Sequence, residues 1–190
     1  MTPQQIKLAA FLWEHGFKNT DAIVKAQSIN PTQKPILSAC CALLINETAG
    51  GNNVWGGEGT ACPTEWWEHP VTEGQYKTYK VNLSHGMTPN GCGPTQLTDP
   101  SLQADADALG GCWEPEANMR VGFHFLWQKI QAAGSEWAGF RDYNGSGPAA
   151  EAYADKAVRE QARVRPVPHG RRQRLLAAAP PSRHGPPARA

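Results

Sequence analysis

Ile36-Leu37-Ser38-Ala39-Cys40-Cys41-Ala42-Leu43-Leu44-Ile45-Asn46-Glu47 is the stretch around which the rest of the chain must be arranged. Between Ile36 and Ile45 its one polar side chain is Ser38. A helix that is apolar nearly all round has no face to give to water and belongs at the centre of a core. Pro35 suits a helix start, and Thr48-Ala49-Gly50-Gly51 supplies the stop. The run ends on Glu47. An isolated Glu at a helix end ordinarily snorkels to water or pairs with a cation. Held among apolar groups it is costly to ionise and keeps its proton to higher pH, the state a general acid needs near neutrality. The expectation is a mainly α fold. A central buried helix ends in the catalytic candidate Glu47, other helices surround it, and a small irregular β lobe sits alongside.

Outward from that helix, the pattern is helical on both sides. Thr2-Pro3 reads as cap and first residue of an opening helix, stopped by Gly16, with Ile6, Ala9, Ala10 and Trp13 as its buried stripe. Asn19-Thr20-Asp21 caps a second, short helix carrying Ala22, Ile23 and Ala26. From Gly50 to Thr95 Gly, Pro and Asn punctuate the chain, with Trp55, Trp66, Trp67, Tyr76 and Tyr79 between them. Tyr76 to Val81 alternates as a strand does, so a β-hairpin or irregular lobe is expected there. Helical spacing returns at Leu102 to Leu109 and is strongest from Glu116 to Ala132. A last helix begins near Pro148 and runs through Tyr153 and Val158.

Charge divides the chain in two. Through Glu160 it carries 17 acidic and 11 basic residues, whereas residues 161–190 carry seven Arg and no acid. The expected organisation is one domain over 1–160, with residues 50–95 as an inserted Trp- and Gly-rich lobe, and a disordered Arg/Pro/Ala-rich tail over 161–190. That tail has too little apolar surface to offset the entropy of ordering it. An acidic domain makes nucleic acid an unsuitable partner. No run reaches the roughly 18 apolar residues of a membrane span, and the start lacks a secretory pattern. A monomer made in the cytoplasm, without membrane insertion, is expected. Cys40 and Cys41 read as small hydrophobes of the central helix, while Cys62, Cys92 and Cys112 in Gly-rich loops leave room for one disulfide. No C-x-x-C spacing occurs, so neither metal nor cofactor is expected.

Four segments then fall in order. They are Glu47-Thr48; Gly91-Cys92-Gly93-Pro94-Thr95-Gln96-Leu97-Thr98; Asn118-Met119-Arg120-Val121-Gly122-Phe123-His124-Phe125-Leu126; and Tyr143-Asn144-Gly145-Ser146-Gly147, followed by Tyr153-Ala154. Over residues 3 to about 160 this arrangement resembles the lysozyme-like superfamily, in the branch of soluble lytic transglycosylases, goose-type lysozymes and phage lysins. That family shows a Glu-Ser, a Gly-x-x-Gln turn, an Asn-x-x-x-Gly-x-x-Tyr-Leu helix and a Tyr-Asn-x-Gly loop. Here Thr48 stands for the Ser and Phe125 for the Tyr. About 30 more residues separate Glu47 from Gln96 than in compact transglycosylases.

The resemblance implies an α+β lysozyme-like fold and a muramidase acting on bacterial peptidoglycan, with Glu47 as general acid/base at a β-1,4 bond between N-acetylmuramic acid and N-acetylglucosamine. It implies substrate contacts from Thr48, Gln96, Tyr143 and Asn144, and a phage endolysin or tail lysin released onto the wall. Hydrolysis calls for a second carboxylate, for which Glu58, Glu65 and Glu68 in the lobe, and Asp99 and Asp142, are candidates. Transglycosylation to 1,6-anhydromuropeptides needs none. A chitinase-like glycosidase is an alternative, as is an inactive wall-binding or virion structural module. Trp55, Trp66 and Trp67 read equally as a sugar-stacking platform or as lobe core.

Overall fold

The computed structural model describes residues 1–164, and helix dominates them. In chain order the α-helices are α1 (Pro3–Glu14), α2 (Thr20–Ser28), α3 (Leu37–Thr48), α4 (Glu73–Ser84), α5 (Pro100–Asp107), α6 (Pro115–Ala133), α7 (Glu136–Asn144) and α8 (Pro148–Val164). Two single 3-10 turns, Pro31–Gln33 and Thr64–Trp66, lie between them. No extended strand forms among the described residues; three isolated bridges join Val54 to Pro70 and Trp55 to both Trp67 and Cys92. None of the described helices is long and apolar enough to cross a membrane.

α3 is the centre. Every side chain from Ser38 to Leu44 is buried, as expected for a helix with no polar face. α8 lies along it and gives Ala154 and Ala157 to the shared core, small residues that let the two helices approach. The Asn46 amide donates to the Tyr153 carbonyl at 3.1 Å and sets their register. α6 adds Met119, Phe123 and Leu126 to this core, while α1 and α2 add Leu12, Ile23 and Val24. A second apolar cluster fills the lobe, built from Trp55, Val71, Tyr76, Tyr79, Cys92 and Leu97. Val121, on another side of α6, packs into that cluster. α6 is therefore the partition between the two cores.

Several sequence expectations change. Tyr76 to Val81 is not a strand but the middle of α4. The aromatic residues favour strands on propensity alone, yet Tyr76, Tyr79 and Leu83 share one face of a helix, and all three pack on the lobe cluster. Thr72 and Gln75 form the capping box that starts it. The stripe assigned to α1 is also rotated. Ala9 and Leu12 are buried, whereas Ile6 is 55% and Trp13 63% exposed. Leu12 and Phe17 anchor the helix against α2, which turns Ile6, Ala10 and Trp13 outward. The last helix runs to Val164, with Gln161 buried and donating to Glu136 at 2.9 Å, so the folded part passes residue 160. The tail expected over 161–190 otherwise lies outside the described residues. All five cysteines are buried free thiols, and no disulfide joins Cys62, Cys92 or Cys112.

The two cores are tied together by Asn118 of α6. Its Oδ1 accepts from the Thr95 amide at 2.9 Å and the Thr95 hydroxyl at 2.8 Å, while its Nδ2 donates to the Cys92 carbonyl at 2.7 Å. All three groups are buried. Asn118→Ala orphans the Thr95 amide, while the Cys92 carbonyl keeps the Leu97 amide at 3.1 Å and the Thr95 hydroxyl keeps the Asn118 carbonyl at 3.4 Å; the expected cost is about 1–3 kcal/mol, the usual penalty for a buried unsatisfied polar group. Urea denaturation followed by circular dichroism measures it.

Candidate active site

Glu47 occupies the last turn of α3, where Ala49 takes a left-handed conformation (φ 51°) and the following glycines turn the chain away. One edge of the side chain reaches a surface pocket; the rest is enclosed. Its carboxylate accepts a hydrogen bond from the Tyr153 hydroxyl of α8. Burial pushes the Glu47 pKa up from an ordinary 4.5 to about 7. The Tyr153 bond and the Lys156 charge pull it down, and the negative charge of Glu58 adds to the rise. The phenols of Tyr153 and Tyr143 are pushed well above their ordinary value, by burial first and by the Glu47 charge next. Tyr153 thus remains a hydrogen-bond donor to Glu47.

The pocket has a volume of about 370 Å³ and is lined by Glu47, Glu58, Gln96, Thr98, Tyr143 and Asn144. Residues almost 100 positions apart in the chain converge here. Gln96 sits in a left-handed turn (φ 47°), and its amide nitrogen donates to the carbonyls of Val54 at 3.0 Å and Gly93 at 2.9 Å. Both N–H groups are committed to the loop, which leaves the carbonyl oxygen as its free polar atom. That oxygen lies against Gly56 and Gly91. A Cβ on either glycine would sit 2.4 Å from it, and 2.4 Å (Gly56) or 2.6 Å (Gly91) from a Glu58 carboxylate oxygen. Only glycine allows the carboxylate and the amide this close to the backbone. Glu58 in turn accepts from the Gly91 amide and, at 3.1 Å, from the Thr98 hydroxyl.

Of the residues singled out from the sequence, the pocket gathers Glu47, Glu58, Gln96, Tyr143 and Asn144. Tyr143 and Asn144 end α7 rather than lying in a free loop. The Tyr143 hydroxyl is spent on the Thr95 carbonyl at 2.8 Å, so Tyr153, and not Tyr143, is the hydrogen-bond partner of Glu47. Thr48 is turned inward and donates to the Pro94 carbonyl at 2.8 Å, outside the pocket lining. Glu65 and Glu68 are exposed and do not line the pocket. Asp99 caps α5 through Ser101, bonds that hold its carboxyl below the usual range. Asp142 is paired with Arg141 at 2.6 Å. Trp55 is core and Trp66 packs against that core, while Trp67 keeps 36% exposure.

Tyr153 and Thr98 were not assigned a role from sequence. The signal for Tyr153 was present, since Ala150, Ala154 and Ala157 form a small-residue stripe that points α8 at α3 and brings Tyr153 beside it. Thr98 had no such marker. Among the described residues no group of three His, Cys, Asp or Glu side chains is placed to hold a metal ion. Compared with protein-family models, curated proteins and solved structures, the chain gives no significant match.

Between pH 4.5 and 7 the folded chain holds a proton at Glu47 that the unfolded chain has released. Stability therefore falls across that window and levels off above it. Glu47→Gln is expected to be more stable than the wild type by on the order of 2 kcal/mol at pH 8, and no more stable at pH 4; thermal melting at the two pH values reads this. Tyr153→Phe removes the bond that favours the anion. The Glu47 carboxyl carbon, followed by NMR, should then titrate at higher pH than in the wild type.

Proposed function

We propose that this chain is a peptidoglycan-degrading muramidase of lysozyme-like fold, a β-1,4 glycosidase that cleaves between N-acetylmuramic acid and N-acetylglucosamine. The observation that carries the reading is a protonatable Glu47, with a pKa of about 7, facing a polar pocket that also holds Glu58, Gln96 and Asn144. It is supported by the order of the Glu47, Gln96, Asn118 and Tyr143 segments along the chain, and by the mainly helical architecture that wraps α3.

In this mechanism Glu47 donates its proton to the glycosidic oxygen as the bond to the anomeric carbon breaks. Burial holds that proton up to about pH 7 before the step, and the Tyr153 hydroxyl steadies the carboxylate afterwards. Glu58 takes the role of second carboxylate, accepting a proton from the water that attacks the oxocarbenium-like centre. The carbonyl oxygen of Gln96 and the exposed amide of Asn144 orient the sugar by hydrogen bonds. The substrate is bacterial wall, reached from a phage endolysin or a tail-borne lysin.

Purified peptidoglycan treated with wild type should release soluble muropeptides with reducing muramic ends. Glu47→Gln should lower release at least 10³-fold and Glu58→Gln at least 10-fold, within the range general acid–base groups contribute. Release by wild type should decline above pH 7, as Glu47 loses its proton. Ends lighter by one water would instead mean attack by the muramic C6 hydroxyl, and an unaffected Glu58→Gln would go with them. Release undiminished in Glu47→Gln would sink the assignment.

A further inference from the structure

The lobe core holds a group of thiols that the chemistry at Glu47 does not use. Cys62, Cys92 and Cys112 are all buried in it, and all three are free. Cys92 lies in the turn that leads to Gln96, and Cys112 lies just ahead of α6. The two stand 20 positions apart in the chain, yet the Cys92 thiol donates to the Cys112 carbonyl at 3.5 Å. Asn118 touches both residues. Its Nδ2 donates to the Cys92 carbonyl at 2.7 Å and lies 3.4 Å from the Cys112 sulfur. The two thiols also hydrogen-bond to each other, whereas Cys62 reaches Cys92 through charge alone.

Glycine brings the two segments this close. A Cβ on Gly93 would sit 2.5 Å from the Asn118 Nδ2, and one on Gly111 would sit 2.3 Å from the Trp113 ring. Both positions have positive φ, 75° and 133°. Burial pushes the Cys92 thiol well above its ordinary value, and the Cys112 thiol beside it adds to the rise. Little reactive thiolate therefore exists while the lobe is closed. The attachment of Cys112 is the weaker one. Its amide reaches the Asp107 carboxylate at 3.3 Å, long for such a bond, and Gly110 and Gly111 precede it.

We propose that Cys92 and Cys112 are a disulfide-forming pair, whose bridge fastens the Gln96 loop to the start of α6 when the chain meets a low-molecular-weight disulfide. The proposal rests on the lobe alone and not on the muramidase reading. As the Gly110–Gly111 turn opens, one cysteine thiolate attacks a sulfur of the small disulfide, forms a mixed disulfide and expels one small thiolate. The second cysteine thiolate attacks the protein sulfur of that mixed disulfide and expels the other. Two cysteines are oxidised and one small disulfide is reduced to two thiols, which take up the cysteine protons. The bridge closes the segment 92–112, which carries Gln96 and Thr98 of the pocket and the whole of α5. A reducing compartment keeps the pair as thiols, and an oxidising one joins it.

Oxidised glutathione is the probe, applied to the folded chain and also during its refolding from urea, so that burial cannot hide the thiols. Alkylation and mass spectrometry follow. Cleavage after Lys and Arg and before Asp places Cys92 on peptide 81–98 and Cys112 on peptide 107–120, with Cys62 on a third. The expected product is the first two peptides linked, lighter by two hydrogens than their sum. Oxidation should also raise Tm by about 5–10 °C, through the entropy that closing such a loop removes from the unfolded chain, and dithiothreitol should reverse it. Cys92→Ser and Cys112→Ser should each abolish the linked product and the rise, while Cys62→Ser keeps both. Each variant is compared with its own reduced form, which separates loss of the bridge from a weakened fold. A link formed by either route supports the pair. Five alkylated thiols after both treatments, a bridge through Cys62, or a Tm that linkage leaves unchanged overturns the proposal.

Discussion

The side-chain amide of Asn118 satisfies, from within a buried helix, the backbone of a loop that has no regular structure of its own. Without it the Thr95 amide would be buried with no partner, at about 1–3 kcal/mol. With the Thr95 amide, the Thr95 hydroxyl and the Cys92 carbonyl all bonded to one side chain, the loop is fastened to α6. Everything around the pocket then hangs on it. Gln96 follows Thr95 in the chain, Tyr143 docks on the Thr95 carbonyl, and Thr48 docks on that of Pro94. The clamp thus fixes the position of the amide relative to the carboxylate that ends α3.

Around Glu47 the packing works against stability. Its carboxyl would be cheaper to fold in water, and the enclosure that raises its pKa to about 7 destabilises the protein above that value. Glu47 has a neutral phenol as donor and another acid, Glu58, across the pocket, with no ion-paired cation among the described residues. Glycines at 56 and 91 let that second carboxylate and the Gln96 amide lie against the backbone. The lobe that carries Glu58 therefore lines the pocket of Glu47, and α6 joins that lobe to the core through Val121.

Much of the helical framework could be read from local pattern. α3 was legible because a run without polar side chains admits one location, and α6 because its apolar residues repeat at helix spacing over five turns. Capping chemistry set the start of α1 as Thr2 and Pro3 suggest. The failures have physical causes. In α4, Tyr and Val favour strands by propensity, but the i, i+3, i+7 placement of Tyr76, Tyr79 and Leu83 won because the lobe core lies on that side. In α1 two apolar stripes compete within twelve residues, and contact with α2 chose the one through Ala9 and Leu12. Tyr153 carries no role in the sequence reading because its partner lies 106 positions away.

What the sequence determined by itself is therefore the set of helices that a local period and its caps dictate, the central place of α3, and the identity of Glu47 as the carboxylate at its end. These depend on side-chain type and spacing over a few turns. Tertiary structure decided which other side chains join that carboxylate. Glu58 was one acid among five until packing put it in the pocket and left Glu65 and Glu68 outside, with Asp99 spent on a cap and Asp142 on Arg141. It also turned Thr48 inward and gave Glu47 the hydroxyl of Tyr153. The reason is that burial and charge pairing are properties of surroundings assembled from distant segments, and no window of the chain contains them.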